Sequence, residues 1–382
     1  MDYDDDLPEV GGPGEFAPAS GMAFVDPVMA AMEASSSSSS QAAAASTPTT
    51  VAGYPAAAVV DDGDIADADY AGEHGDEDLA DEVPRTGVAD VTSLTAGTKE
   101  VEVIGTRGTK ITRIGSLAAS PALESLCLRS NLIGRMHSVA GQTALKHLEL
   151  YENRIRALEG LEGMTSLTVL DMSYNKIREM EGMGDLRSLS KLFLASNKLR
   201  EIKGLESTAA LTGLDLGMNK IRAIEGVSHL TGLRELWLGK NKIPVICGLE
   251  SLTNLRRLDV QSNRLTKIEG LSTLTKLEEL FLGHNAIETI EGLEELRCLK
   301  TLDLTRNQIS KIENVASLES LEDLWLGSNG ICFPEDLEPL KGLGELRTLY
   351  LEHNPVARLS GYRETVASEL PQLTQLDATS CA

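Results

Sequence analysis

An asparagine recurs every 22 residues through most of this chain of 382 residues. Ten asparagines keep this spacing without a break: Asn131, Asn153, Asn175, Asn197, Asn219, Asn241, Asn263, Asn285, Asn307 and Asn329. An eleventh, Asn354, follows after three additional residues. A period of this length indicates a stack of equivalent structural units, each of which buries its apolar side against its neighbours.

Each asparagine lies within one template of apolar positions. The template reads Leu145-x-x-Leu148-x-Leu150-x-x-Asn153-x-Ile155-x-x-Leu158-x-Gly160-Leu161-x-x-Met164 in one of its copies. This is the leucine-rich-repeat pattern at a short period. Its L-x-L segment predicts a short strand whose leucines point inward and whose central residue points outward. We therefore expect a fold of the α/β class, a curved leucine-rich-repeat solenoid with a parallel sheet on its concave side.

Two further template positions predict backbone structure. A short amide at the asparagine position can pair with backbone groups where the chain leaves the strand, which is a structural role. Seven residues later the repeats place a residue that tolerates positive φ: Gly160, Gly182, Gly204, Gly226, Gly248, Gly270, Gly292 and Asn314. Because 22 residues leave little room for a helix, the convex segments should be irregular or 3-10.

The two ends of the repeat region depart from the template, as capped solenoid ends do. Residues 96–354 should hold about 11 to 12 repeats. In the first, Val101 and Ile104 are expected to keep the apolar register while Thr109 replaces the asparagine. Residues 355–382 predict a C-terminal cap with a short helix from Tyr362 and a return strand near Leu376.

The first quarter of the chain has a different composition. Residues 1–90 hold 20 acidic residues against one basic residue, Arg85, and so carry −19 of the total charge of −23. Residues 1–95 predict a disordered acidic low-complexity tail. This charge balance argues against nucleic acid as a partner. No signal peptide or apolar membrane span is recognisable, so we expect a soluble intracellular protein that does not bind membranes.

The sequence motifs that usually indicate a catalytic site are missing from this chain. There is no H-x-x-x-H, H-E-x-x-H or C-x-x-C spacing and no phosphate-binding loop. The five cysteines are far apart and are expected to be reduced thiols. The sequence therefore predicts a protein that is not an enzyme and needs no cofactor or metal, and a monomer when alone.

One variable position of the repeat is not random. Four residues before each asparagine, acidic and aromatic residues alternate: Cys127, Glu149, Asp171, Phe193, Asp215, Trp237, Asp259, Phe281, Asp303, Trp325 and, in the last repeat, Tyr350. We call this row the concave stripe. From Asp171 to Tyr350 it spans eight steps of ~4.8 Å, roughly 38 Å, which is the length of a protein interface. Exposed aromatic residues would anchor a partner and the carboxylates would select one rich in Lys and Arg.

The repeats closely resemble the leucine-rich-repeat regulatory subunits of type-1 serine/threonine protein phosphatase. The resemblance covers about residues 101–379, including SNRLTKIEGL at 262–271, NKIRAIEG at 219–226 and LDAT at 376–379. It implies a regulator that binds the catalytic subunit, with or without a further inhibitor protein, in the nucleus and cytoplasm. The positions that it implies for partner binding are Asp171, Phe193, Asp215, Trp237, Asp303, Asp323, Trp325 and Tyr350; Asp259, Phe281 and Glu149 form a second tier.

Three positions depart from the family pattern. Asp215 and Asp323 stand where glutamate is usual, and Trp237 stands where phenylalanine is usual. The short basic-hydrophobic docking peptide of many phosphatase regulators is not found in the chain, as the resemblance also implies, so the concave face would have to bind the catalytic subunit.

A structural adapter for a cytoskeletal or axonemal partner remains the alternative interpretation, and an enzyme or nucleic-acid binder is the third.

Overall fold

A computed structural model describes residues 94–381, so the expected acidic tail lies almost wholly outside the described residues. Leucine at every second strand position favours short extended segments that bury one face. The strands are β1 (Glu100–Glu102), β2 (Ser125–Cys127), β3 (His147–Glu149), β4 (Val169–Asp171), β5 (Lys191–Phe193), β6 (Gly213–Asp215), β7 (Glu235–Trp237), β8 (Arg257–Asp259), β9 (Glu279–Phe281), β10 (Thr301–Asp303), β11 (Asp323–Trp325), β12 (Thr348–Tyr350), β13 (Gln375–Leu376) and β14 (Thr379–Ser380).

The strands form one sheet in sequence order, parallel throughout except for the final β13–β14 pair. The predicted leucine-rich-repeat solenoid is confirmed. Template leucines such as Leu148, Leu170 and Leu192 are fully buried and stack from one strand to the next. The fold therefore holds the last residue of each strand from β2 to β12 in register on the opposite, concave face.

The asparagines form a continuous hydrogen-bonded ladder. Asn153 donates from Nδ2 to the carbonyl oxygens of Leu128 (2.9 Å) and Leu150 (3.0 Å), and its Oδ1 accepts from the backbone N–H of Ile133 (3.0 Å). The other ladder asparagines repeat this arrangement with their own neighbours. The amide thus joins each turn to the preceding repeat, which confirms its predicted structural role.

The convex side consists of turns and irregular segments, as predicted. Within residues 94–381, 3-10 helices occur at His137–Val139, Pro334–Gly342 and Val356–Arg358. The glycine position has positive φ in each repeat where it was predicted, from +68° at Gly226 to +86° at Gly182, and Asn314 has φ +56°. Not anticipated is a second left-handed position, occupied in every repeat by the residue just before the asparagine, such as Tyr174 (φ +55°).

The register of the first repeat differs from the one expected from the sequence. Val101 pairs with Leu126, and Gly105 donates a hydrogen bond to the carbonyl of Arg129, so the strand of this repeat starts three residues earlier than the 22-residue period requires. Ile104, expected to point inward, is 51% exposed. Val101 and Val103 fill the inward positions in part, and the chain regains the period where Ile111 pairs with Asn131.

The predicted short helix from Tyr362 and the return strand near Leu376 are present at the carboxyl end. Helix α1 spans Tyr362–Glu369 and is followed by β13, which pairs in parallel with β12. The phenol of Tyr362 donates a hydrogen bond to Asp377 (3.1 Å), and Arg363 donates to the carbonyl of Leu376 (3.1 Å). These contacts close the open end of the core, where Val366 and Leu370 are buried.

Candidate protein-binding surface on the concave face

The concave stripe is one continuous row across the sheet. Each member is paired in register with the next, for example Asp171 with Phe193, Phe281 with Asp303, and Trp325 with Tyr350. Because parallel strands without slippage keep equivalent positions side by side, acidic and aromatic side chains alternate in space as they do in sequence. Asp323 lies two residues before Trp325 on the same face.

The stripe is more deeply buried than the sequence suggested. Phe193 is 1% exposed and Trp237 is 6% exposed, so the expectation of exposed aromatic anchors is wrong at these two positions. Three aspartates and Glu149 are also buried: Asp171, Asp215 and Asp303. The physical reason is that each of these residues lies between two in-register neighbours of the stripe on closely stacked strands.

The accessible part of the stripe lies toward its carboxyl-terminal end. Apart from Cys127 at the amino-terminal end, the half-buried members are Asp259, Phe281, Trp325 and Tyr350, together with the neighbouring Asp323. Strands β8 to β12 therefore carry the surface that a partner can reach without rearrangement.

Each buried aspartate is held by its own strand. Asp171 Oδ1 accepts a hydrogen bond from the backbone N–H of Ser173 (2.9 Å), and Asp303 Oδ1 accepts one from Thr305 (2.8 Å). The same contact occurs at Asp215 and Asp259. A carboxylate at this position thus satisfies a backbone donor two residues later, a role that sequence reasoning missed although the spacing is visible.

Small residues accompany the aromatic members. The residue two positions after each of them, before the last repeat, is Ala195, Gly239, Gly283 or Gly327. A Cβ on Gly283 would lie 2.8 Å from Asp303 Oδ2, and one on Gly239 would lie 3.1 Å from Asp259 Oδ1. A larger side chain at these glycines would displace the carboxylate, so the acid and the glycine of adjacent repeats form one packing unit.

Three rings form a cluster at the accessible end. Phe281 and Trp325 lie with ring centroids 6.2 Å apart, and Trp325 meets Tyr350 edge to face at 6.3 Å. The guanidinium of Arg257 lies over the ring of Phe281 at 5.9 Å and also pairs with Glu279. The phenol oxygen of Tyr350 accepts a hydrogen bond from Gln375 (2.6 Å), which ties the cluster to the cap.

The amino-terminal end of the stripe has a different character. Asp171 Oδ2 has no hydrogen-bond partner among the described residues, and burial raises the pKa of Asp171 to about 7. Burial also raises the pKa of Glu149, whose Oε1 lies 2.9 Å from Arg129 Nε without the alignment of a hydrogen bond. Burial raises the pKa of the Cys127 thiol to about 12. This end of the stripe therefore disfavours negative charge.

Burial also raises the pKa of two aspartates nearer the cluster. The pKa of Asp259 rises to about 6, and that of Asp303 is raised for the same reason. A cation of a partner placed beside these carboxylates would favour their ionised form. The geometry therefore suits apolar anchoring combined with recognition of basic groups.

Other features bear on the type of site. Within residues 94–381, no group of three or more His, Cys, Asp or Glu residues is arranged to hold a metal ion. The five cysteines are free thiols. None of the described helices has the length and apolar character that a membrane span requires.

Comparison with known proteins supports the repeat assignment. Two family models, both described as leucine-rich repeat, match residues 121–177 and 256–381. A search of curated proteins found no match. Leucine-rich repeats typically serve as protein-interaction domains without catalytic function, and their solenoids offer extended concave binding surfaces. The chain therefore has a leucine-rich-repeat fold, and its scaffold is of the protein-interaction type.

Solved structures agree with this fold. An internalin, InlF, from Listeria monocytogenes is 28% identical, with a TM-score of 0.66, over 74% of this chain and 80% of its own. A leucine-rich-repeat protein of Leptospira interrogans is 24% identical, with a TM-score of 0.57, over 70% of this chain and 76% of its own. The functional domain of InlJ from Listeria monocytogenes is 26% identical, with a TM-score of 0.57; the match covers 68% of this chain and 54% of that domain.

Proposed function

We propose that this leucine-rich-repeat protein is a non-catalytic regulatory subunit that binds the catalytic subunit of type-1 serine/threonine protein phosphatase through its concave face. It would control the activity, maturation or location of that enzyme in the nucleus and cytoplasm. The observation that carries the proposal is the accessible cluster of Phe281, Trp325 and Tyr350, interleaved with carboxylates. Trp325 and Tyr350 occupy positions that the family resemblance assigns to partner binding.

The cluster has the chemistry of an interface centre. Large aromatic side chains contribute most of the binding energy of many interfaces when a partner excludes water from them. Asp259 and Asp323 lie beside the rings and are half-buried, so both can face a partner's Lys or Arg side chains. Carboxylates in such positions increase the association rate and select basic partners. The expected partner surface is therefore basic at its rim and apolar at its centre.

The buried members of the stripe have a different role in this proposal. Phe193, Trp237 and Asp215 lie beneath the surface and fix the shape of the concave floor. Direct contact is assigned first to strands β8 to β12, which carry the half-buried residues. Buried positions contact the partner only where its side chains enter between the flanking rows.

The test is the affinity of purified phosphatase catalytic subunit for the full chain and two matched variants. Trp325→Ala removes the centre of the cluster, whereas Phe333→Ala removes a ring that is 64% exposed and lies just before a 3-10 helix outside the sheet. We expect about 30-fold or greater loss of affinity for Trp325→Ala, as for other interface hot spots. Phe333→Ala should bind like the wild type.

Two results would contradict the proposal. One is unchanged affinity in Trp325→Ala when circular dichroism shows a native fold. The other is no binding of the phosphatase catalytic subunit by the wild type. Co-sedimentation with polymerised tubulin would then test the alternative interpretation, a cytoskeletal adapter.

A further inference from the structure

A second surface lies along one edge of the solenoid, where the chain leaves each strand. The residue after each ladder asparagine donates its backbone N–H to the repeat before it: Lys176 to Ile155 (2.8 Å), Lys198 to Ile177 (2.8 Å), Lys220 to Leu199 (2.8 Å) and Lys242 to Ile221 (2.9 Å). These bonds stack equivalent side chains in a column. Because alternate residues point to opposite sides of an extended segment, the residue two positions later belongs to the same surface, while the Ile or Leu between them is buried.

Both columns of this surface are basic over several consecutive repeats. We call it the basic edge, and its residues are Arg154, Arg156, Lys176, Arg178, Lys198, Arg200, Lys220, Arg222, Lys242 and Arg264. The first column ends at Leu132 on one side and Ala286 on the other, and the second column ends at Gly134 and Pro244. A local run of ten cations in a chain of net charge −23 is not explained by solubility.

The middle of the edge is accessible. Lys176, Arg200, Lys220 and Arg222 are exposed and Lys242 is half-buried. Among the ion pairs of the described residues, none involves these five side chains. Elsewhere on the solenoid, cations such as Arg256 and Lys300 pair with the glutamate of the neighbouring repeat. These five side chains of the basic edge thus lack a paired glutamate among the described residues.

Two exposed apolar side chains lie among these cations. Tyr174 is 41% exposed and Met218 is 42% exposed, and each precedes a ladder asparagine directly. Tyr174 also packs on Tyr151, with ring centroids 4.9 Å apart. Arginine, tyrosine and methionine are among the residues enriched at protein–protein interfaces. This composition favours a polypeptide over a purely phosphate-bearing ligand.

The basic edge is also narrow. On the convex side, four of its six repeats carry a glutamate six residues after the asparagine: Glu159, Glu181, Glu225 and Glu269. A duplex nucleic acid, with one negative charge per ~1.7 Å of axis, would bring phosphates against this acidic row. One extended chain laid across the repeats would meet the cations alone.

We propose that the basic edge is a second docking surface, separate from the concave face, for an extended acidic segment of a partner protein. Acidic side chains of that segment pair with Lys176, Arg200, Lys220 and Arg222, and its apolar side chains contact Tyr174 and Met218. The edge spans five strand steps of ~4.8 Å, about 24 Å, which matches about seven extended residues at ~3.4 Å each. This surface does not depend on the proposed phosphatase interaction.

The experiment measures fluorescence anisotropy of a labelled peptide about eight residues long, in which Asp or Glu alternates with Leu or Tyr. The full chain is compared with the quadruple variant K176A/R200A/K220A/R222A. A matched control, R187A/R234A/K276A/R297A, removes four exposed cations outside the basic edge and changes the net charge equally. We expect about tenfold or greater loss of peptide affinity in the first variant and less than about twofold in the control, because only the first removes the paired charges.

Two further variants separate binding from folding. Lys176→Arg with Lys220→Arg keeps the charge and should keep the affinity, and Met218→Ala should weaken binding while the net charge stays the same. Equal loss in the quadruple variant and its control would show general attraction only and would overturn the proposal. Tighter binding of single-stranded RNA of equal charge, abolished by the same quadruple variant, would overturn the choice of a polypeptide.

The chain's own acidic segment is the remaining occupant to test. Replacing Asp61, Asp62, Asp64, Asp67 and Asp69 with Asn leaves the repeats unchanged. An affinity for the peptide within about twofold of the wild type supports a partner protein as occupant, because no internal competitor has been removed. A rise of about tenfold or more would show that these acids already occupy the edge and would overturn the assignment to a second protein.

Discussion

The ring of Trp325 contacts the ring of Phe281 across the strand that lies between them, with centroids 6.2 Å apart. That strand carries Asp303, whose side chain is 8% exposed. Two strand steps separate the backbones of the two aromatic residues by ~9.6 Å, so only large side chains can meet over the intervening residue. The alternation of acidic and aromatic residues therefore allows rings two repeats apart to pack over the acid between them, in addition to its proposed role in binding a partner.

This packing predicts that Trp325 controls the ionisation of Asp303. Burial raises the pKa of the Asp303 carboxyl, and Trp325→Ala would admit water to it. We expect the pKa of Asp303 to fall toward its ordinary value in Trp325→Ala and to stay unchanged in Phe333→Ala. Carbon-13 NMR titration of the aspartate carboxyls measures both. An identical pKa in all three proteins would show that the ring does not shield the carboxylate.

The asparagine ladder predicts a specific loss of stability. Asn219→Ala removes hydrogen bonds to the carbonyls of Leu194 and Leu216 and from the N–H of Leu199, each 3.0 Å long. A buried polar group without its partner costs ~1–3 kcal/mol, so we expect the free energy of unfolding to fall by roughly 3 kcal/mol. Urea denaturation checks this. Asn254→Ala, outside the ladder and half-buried, is the control and should change stability by less than ~1 kcal/mol; equal losses would contradict the ladder's role.

The glycine position predicts a second contrast. Gly204 has φ +80°, and a Cβ there would lie within 1.9 Å of the carbonyl oxygen of Met180. Left-handed backbone costs an alanine ~1–2 kcal/mol before any clash is counted, so Gly204→Ala should destabilise the repeats by more than ~2 kcal/mol. Gly184→Ala meets nothing within 4 Å and should cost little or raise stability slightly. The melting temperatures of the two variants test this prediction. Similar values for Gly204→Ala and Gly184→Ala would refute it.

Asp171 predicts a dependence of stability on pH. The folded protein holds the proton of this carboxyl with a pKa of about 7, mainly because burial disfavours the charge, whereas the unfolded chain releases it near ~3.9. The folded state then binds more protons between these values. The contribution of this group is therefore fully present below about pH 4 and is lost as the pH rises toward about 7.

Asp171→Asn removes this titration and keeps an oxygen that can accept from Ser173. We expect the variant to gain stability relative to the wild type as the pH rises from 4 to 8, by a few kcal/mol at most. Urea denaturation across this range measures the difference. A difference that is constant with pH would mean that the carboxyl titrates alike in the folded and unfolded states.

The repeat scaffold was predictable because its determinants are local and recur. The 22-residue period fixes the register, each ladder asparagine bonds within its own turn and the preceding repeat, and the left-handed glycines recur at one offset. Ile104 was misplaced because Val103 and Ile104 are both apolar, and an insertion of three residues after the strand cannot be located from the pattern alone.

The exposure of the stripe was not predictable from a single position. Phe193 and Trp237 are buried whereas Phe281 and Trp325 at the same repeat position are half-buried, so the burial of each ring depends on the residues of adjacent repeats. Lys191, for instance, crosses Gly213 to pair with Glu235 two repeats away, a contact that requires glycine on the strand between them. Such coupling between repeats appears only when the strands are placed side by side.

The most direct test of the central claim is isothermal titration calorimetry of the full chain with purified phosphatase catalytic subunit. The wild type is compared with one charge-reversal variant inside the accessible surface and one outside it. Asp323→Lys places a cation beside Trp325, whereas Glu319→Lys makes the same change at an exposed position outside the sheet. The account predicts binding by the wild type, about tenfold or greater loss in Asp323→Lys because a basic partner would be repelled, and a change within about twofold in Glu319→Lys. No binding by the wild type, or equal affinity in all three proteins, would contradict it.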